Sequence, residues 1–220
     1  MRRFAVIGLG HFGFNVAKKL YENGHDVIAI DIDGEAIQEV KEHCSQAVMT
    51  DASERENLEA LNINDVDVAI VSLGSKLDAS ILITLYLKEM DIQEIVVKAL
   101  SLDHGKILKM LGATEIIYPE KDMAIRVAER LSSPTVLDQV EFMDGYSVVE
   151  IEAPQLFWGL SLRDVEIRNK YGLSVILIKR KDVKNAFTAP KASYTIEKGD
   201  ILVLLGEDSC VEKFKGISSR

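Results

Sequence analysis

The stretch FAVIGLGHFGFNVAKKL (Phe4–Leu20) decides the fold. A short apolar run reads as a strand, three glycines break it, and an amphipathic segment reads as a helix. Gly8, Gly10 and Gly13 stand at the GxGxxG spacing. The first permits a tight turn, the second lets backbone approach a phosphate, and the third lets the helix pack closely on the strand. Exposed amides at the start of that helix attract negative charge. The next apolar run, DVIAID, ends in Asp31, where a carboxylate can accept from both ribose hydroxyls and would repel a 2'-phosphate, which disfavours NADP.

Working outward, strand-like and helical runs keep alternating: AVMT, VDVAIVSL, EIVVKA and EIIYP each precede a helical stretch. Six apolar strands each followed by a helix predict an α/β domain, a Rossmann-like, doubly wound parallel sheet covered on both faces, over residues 1–135. Gly24 and Gly112 fall where helix caps are expected, and Ser53 with Glu56 forms an S-x-x-E capping-box pattern. The pattern then changes. Strand-like YSVVEIEAP, LSVILIK and ILVLLG, a helix near Leu162–Lys170 and a last one near Val211 predict a smaller α+β domain over residues 136–220.

The net charge of -9 across 220 residues lies mostly in the first domain and argues against wrapping of nucleic acid, which needs a clustered basic face. Residues 163–191 are a local basic exception. Cys44 and Cys210 sit in no metal or disulfide spacing and read as reduced thiols of a cytosolic chain. The longest apolar run, Ile81–Leu87, is far shorter than the roughly 20 residues of a membrane-spanning helix. The four histidines, His11, His25, His43 and His104, belong to no catalytic pairing and are expected to be solvated. With no nucleophile motif and few residues left for a substrate pocket, the chain reads as a non-enzyme whose nucleotide is a signal.

Ligands of open parallel sheets bind beyond the carboxyl ends of the strands, which yields further candidates. Asp33 is a second ribose candidate and Asp51 a partner for an adenine amino group, with a solvated turn carboxylate or helix-start residue as the alternative for each. Gly74 follows strand four. Lys98 suits a phosphate or, alternatively, a buried ion pair. Glu120 stands at a helix start, where the helix dipole alone favours it.

FAVIGLGHFG, AIDID, VKA, LGATEIIYPEKDMA and RNKYGLSVILIKR together resemble the Ktr/Trk-type regulatory subunits of bacterial potassium uptake systems, whose nucleotide domain is the domain regulating potassium conductance (RCK). The resemblance implies a cytoplasmic homo-oligomer, dimers forming an octameric ring, attached peripherally to the cell membrane through a membrane-embedded potassium transporter and responding to ATP against ADP. It implies that Gly8, Gly10 and Gly13 hold the phosphates, Asp31 the ribose and Lys98 a phosphate, with His11, Phe12, Asp33, Asp51, Ala52 and Gly74 completing the candidate cofactor-binding set. It further implies that Glu120 meets its copy across a dimer interface and shares a Mg²⁺ or Ca²⁺ there. His11 stands where these proteins commonly have arginine, and Leu100 and Ser101 where they have polar amides. Ile167, Arg168, Asn169 and Pro190 match stretches that bind cyclic di-AMP in similar proteins; the alternative is that Lys179, Arg180 and Lys181 keep a strand edge soluble. The competing functional reading is an NAD(H)-binding redox sensor or small NAD-dependent oxidoreductase.

Overall fold

The computed structural model describes residues 1–74, 76–132, 136–180, 187–188 and 190–218. The chain divides into two compact units, Met1–Pro119 and Glu120–Arg220.

In the first unit, β1 (Arg3–Ile7), β2 (Asp26–Asp31), β3 (Gln46–Met49), β4 (Val68–Val71), β5 (Glu94–Lys98) and β6 (Glu115–Ile117) form one sheet in the order β3-β2-β1-β4-β5-β6. Every pairing within it is parallel. The helices α1 (His11–Glu22), α2 (Gly34–Val40), α3 (Arg55–Ala60), α4 (Leu77–Glu89) and α5 (Leu102–Met110) connect the strands.

Strand side chains alternate between two buried faces. Ala5, Ile7, Ile28, Ile30, Ala69, Val71, Ile95 and Val97 join Leu58 of α3, Ile83 and Leu87 of α4 and Leu108 of α5. Phe4, Val6, Val27, Ala29, Val68 and Ile70 join Ala17 of α1 with Ile37 and Val40 of α2. Burial on both faces explains why the central strands read as continuous apolar runs rather than alternating ones. The order reverses direction at β1, so the loops after β1 and β4 splay apart and leave a crevice.

The second unit holds a sheet of β7 (Val136–Met143), β8 (Tyr146–Glu152), β9 (Ser174–Arg180), β10 (Phe187–Thr188) and β11 (Asp200–Glu207) in the order β10-β9-β11-β8-β7, with antiparallel pairings throughout. Its core packs Val149, Ile151, Leu202 and Leu204 against Phe157, Val211 and Phe214. The segment expected as one helix near Leu162–Lys170 is two, α7 (Leu162–Val165) and α8 (Ile167–Tyr171). Glu166 between them takes a left-handed conformation, φ 53°, which no α-helix tolerates. The last helix, α9, runs Asp208–Ser218.

The boundary between units falls earlier than the expected 135/136. Helix α6 (Pro119–Ser132) groups with the second unit from Glu120 onward, and its Arg126 pairs with Asp138 of β7 at 3.1 Å. The expected capping box does not form either. Helix α3 starts one residue later than that pattern requires, at Arg55, and Glu54 at its N-cap makes no side-chain cap.

Candidate functional site: a cleft at the carboxyl ends of the parallel strands

A cleft of about 620 Å³ opens beyond β1–β4, lined by Gly8, Gly10, Asp31, Ile32, Thr50, Asp51, Ala52, Ser53, Ser72, Leu73, Gly74, Lys76, Asp78, Ala79 and Ile83, with Ile7 and Ile30 at its floor. Its first wall is the glycine loop. Gly8 has φ +92°, and a Cβ there would stand 2.4 Å from the Ser72 carbonyl oxygen. A Cβ on Gly10 would meet nothing within 4 Å, so backbone faces open space at the N-cap of α1, the place where amides can receive an anion. Gly13 lies behind the cleft. A Cβ there would fall 1.9 Å from the Gly8 carbonyl oxygen, so its role is to let α1 seat against the loop.

Asp31 braces this loop. Its Oδ2 accepts from the Leu9 amide at 2.6 Å and its Oδ1 from the Asp33 amide at 3.0 Å. A carboxylate oxygen has room for more than one donor, so ribose hydroxyls can join these amides.

Asp51 follows β3, and its Oδ1 accepts from the Ser53 hydroxyl at 2.6 Å and the Ser53 amide at 2.9 Å. The Ser53 hydroxyl, then its amide, hold the Asp51 carboxyl below the usual carboxylate range, and Lys76 adds to the effect. Ser53 is thus committed to Asp51 rather than to a helix cap. Gly74, with φ +56°, borders open space after β4.

Six of the expected residues therefore converge: Gly8, Gly10, Asp31, Asp51, Ala52 and Gly74. Others stand elsewhere. His11 is the first residue of α1 and exposed, its carbonyl accepting from Asn15 Nδ2 at 2.7 Å, and Phe12 is half-buried. Asp33 caps α2 by accepting from the Glu35 amide at 2.9 Å and is not among the lining residues. Lys98 ends β5, half-buried and paired in register with Ile117; it too is absent from the lining. Glu120 is exposed in the first turn of α6, within the second unit.

Two charged residues of the lining escaped sequence reasoning: Lys76 and Asp78 at the start of α4. The signal was present, because the polar residues just after the strand-four glycine must sit at the crevice mouth in this topology. Among the lining residues Lys76 is the sole cation, facing three carboxylates.

Three of the four histidines depart from the expected solvation. His104 is 5% exposed and hydrogen-bonded to Ser80. His25 and His43 are half-buried, at 5.2 Å from the Phe4 ring and 5.9 Å from the Phe14 ring respectively. Cys44 is buried, which pushes its thiol up and leaves it unreactive.

A second, smaller cleft of about 440 Å³ lies in the second unit, lined by Leu162, Arg163, Glu166, Ile167, Arg168, Asn169, Leu173, Ser174, Val175 and Pro190. All four residues singled out there, Ile167, Arg168, Asn169 and Pro190, line it. The neighbouring cations are engaged with acids: Lys179 pairs with Glu150, and Arg180 with Glu197 at 2.8 Å. Lys181 lies outside the described residues. Among the described residues no helix is long and apolar enough to cross a membrane.

Comparison with known proteins follows the same division. Residues 4–119 match the TrkA-N domain and residues 146–217 the TrkA-C domain. The chain is 40% identical over 214 residues to Ktr system potassium uptake protein C of Bacillus subtilis, covering 97% of this chain and 96% of that protein. It is 37% identical over 214 residues to Ktr system potassium uptake protein A of the same organism, with the same coverage. Among solved structures, a GsuK channel bound to NAD superimposes with a TM-score of 0.67 at 16% identity, over 100% of this chain and 40% of that one.

Proposed function

Since the chain belongs to the Ktr/Trk family of potassium uptake regulatory proteins, built from a TrkA-N and a TrkA-C domain, we propose that it is a cytoplasmic, non-enzymatic ATP/ADP sensor that gates a membrane potassium transporter. The observation that carries the reading is the cleft itself, in which the open backbone at Gly10 and the carboxylate of Asp31, braced by the neighbouring Leu9 amide, line one space suited to a nucleoside phosphate. In this reading the chain assembles through dimers into an octameric ring attached to the inner face of the membrane by its partner. Nucleotides act by binding two ring shapes with unequal affinity, the only means by which a ligand shifts a conformational equilibrium.

A Mg²⁺ or Ca²⁺ belongs to this proposal at Glu120. Among the described residues no three His, Cys, Asp or Glu side chains gather to hold a metal ion, so the described residues of one chain do not fit it alone. Oxygens of a second copy or of the nucleotide phosphates are required. In the second cleft, Arg168 offers a planar fork for a phosphate, and cyclic di-AMP is the proposed ligand.

One observation favours NAD(H) as a second reading. The lining sets Asp31, Asp51 and Asp78 against Lys76 alone, and excess negative potential disfavours a polyanion more than a dinucleotide of low charge. The 16%-identical GsuK channel, bound to NAD, shares the fold. Titration of the nucleotide-stripped protein with ATP, ADP, NAD⁺ and NADH separates the two, because stabilisation grows with ligand concentration over dissociation constant. ATP and ADP binding without NADH supports the sensor; tightest binding by NADH overturns it in favour of a redox protein.

A further inference from the structure

His104 is buried on α5, outside the cleft lining, yet it is wired to the cleft wall. Its Nδ1 accepts from the Leu100 amide at 3.3 Å, so the proton of the neutral ring sits on Nε2. Nε2 lies 2.9 Å from Ser80 Oγ, and that hydroxyl donates to the Leu77 carbonyl at 2.8 Å. The direction of the chain is thereby fixed: Leu100 N–H to His104, His104 N–H to Ser80, Ser80 O–H to Leu77. Ser80 is buried beside Ala79, and Ala79 and Ile83 line the cleft. Lys76, at the N-cap of α4, contributes no side-chain cap, and this relay ties the first turn of the wall to α5 from behind.

We propose that His104 is a positioning residue for the nucleotide cleft: its neutral Nε2–H form holds α4 through Ser80, and protonation releases that wall and weakens nucleotide binding. The inference rests on nucleotide occupancy of the cleft. A second ring proton would sit on Nδ1, pointing at the Leu100 N–H, and two donors cannot share that contact. Burial lowers the imidazole below its ordinary value of 6.5. The ionisable groups on the surrounding elements are Lys76 at the N-cap of α4 and Asp78, Tyr86, Lys88 and Glu89 within it, Asp103, Lys106 and Lys109 of α5, Glu94 and Lys98 of β5, and Tyr118, whose hydroxyl occupies the space beside Gly105. Asp103 and Lys106 bind each other at 2.9 Å, and none of these groups contributes to the shift.

The test compares ADP affinity of the wild type and His104→Gln by calorimetry at about pH 7.5 and about pH 5.5, either side of the ordinary imidazole range. Glutamine can keep the donor to Ser80 but does not titrate. Protonation of ADP and of the other three histidines is common to both proteins and cancels in the ratio. The expected result is that acid weakens the wild type several-fold more than the variant. Equal acid dependence overturns the proposal while leaving nucleotide binding intact, whereas absence of ADP binding at both pH values overturns the nucleotide reading and this inference with it. If the variant does not fold, nitrogen NMR of the wild-type imidazole decides: a neutral Nε2–H ring at about pH 7.5 is expected, and an Nδ1–H tautomer or an imidazolium refutes the relay.

Discussion

The two clefts of this chain are built from different materials. The larger has one wall of backbone, the loop of Gly8 and Gly10, braced by the Asp31 carboxylate through two amides, with a third glycine, Gly74, after β4. The smaller is walled by side chains from α7, α8 and β9, among them Arg163, Glu166, Arg168 and Asn169. A backbone-built cleft is intolerant of added atoms and forgiving of exchanged side chains; a cleft built from side chains is the reverse. Substitutions of each kind therefore discriminate between the two.

The largest expected effect is on the scaffold of the smaller cleft. Phe214 is fully buried, 6.0 Å from the Phe157 ring and 5.2 Å from that of Tyr171, the last residue of α8. Phe214→Ala should cost about 3–5 kcal/mol and, by hydrogen exchange, loosen the second unit while β1–β6 stay protected. Loss of protection in both units together would break the comparison.

Next in size is Asp31→Ala, which strips the Leu9 and Asp33 amides of a charged acceptor. Hydrogen bonds to charged groups are worth about 1.5–3 kcal/mol, so affinity for every adenosine nucleotide should fall alike, with no change in the ATP-to-ADP ratio. A selective loss of ATP would place the carboxylate near the terminal phosphate instead.

Gly13→Ala adds one methyl group where a Cβ would stand 1.9 Å from the Gly8 carbonyl oxygen. A destabilisation of about 1–3 kcal/mol with loss of ADP-induced thermal stabilisation is expected, whereas unchanged binding would show that the loop can retreat.

In the smaller cleft, Arg168→Lys retains the charge but loses the planar fork. Cyclic di-AMP binding should weaken by about tenfold, the equivalent of one charge-assisted contact, with thermal stability unchanged. Binding at full strength would remove Arg168 from that site.

The smallest effect is on stability against pH. Because burial lowers the folded-state value of His104 below 6.5, the unfolded chain binds the proton more readily. Its contribution is complete above about pH 6.5 and is lost as pH falls from there through the folded-state value. His104→Gln should flatten that part of a denaturant-midpoint profile; the same slope in the variant would assign it to other groups.

Much of the first unit was legible in the residues. Each of its six strands is an apolar run bounded by polar or glycine punctuation, and the GxGxxG spacing fixes which loop faces a phosphate. The second unit was read less well: β7 (Val136–Met143) is a full strand in the fold that is not among the strand-like runs expected there. Helix α6 has strong periodicity, yet nothing local says which unit it joins.

The sequence by itself determined the parallel sheet, the glycine loop and the position of Asp31, because these depend on short-range rules: where a Cβ is forbidden, and which side chains a strand buried on both faces requires. Only the tertiary structure decided that Ser53 serves Asp51 instead of α3, that Glu166 splits a helix, that Lys76 enters the cleft and that His104 is buried against Ser80. Each of those depends on a partner brought near by folding, and a partner 24 residues away, as Ser80 is from His104, leaves no periodic trace along the chain.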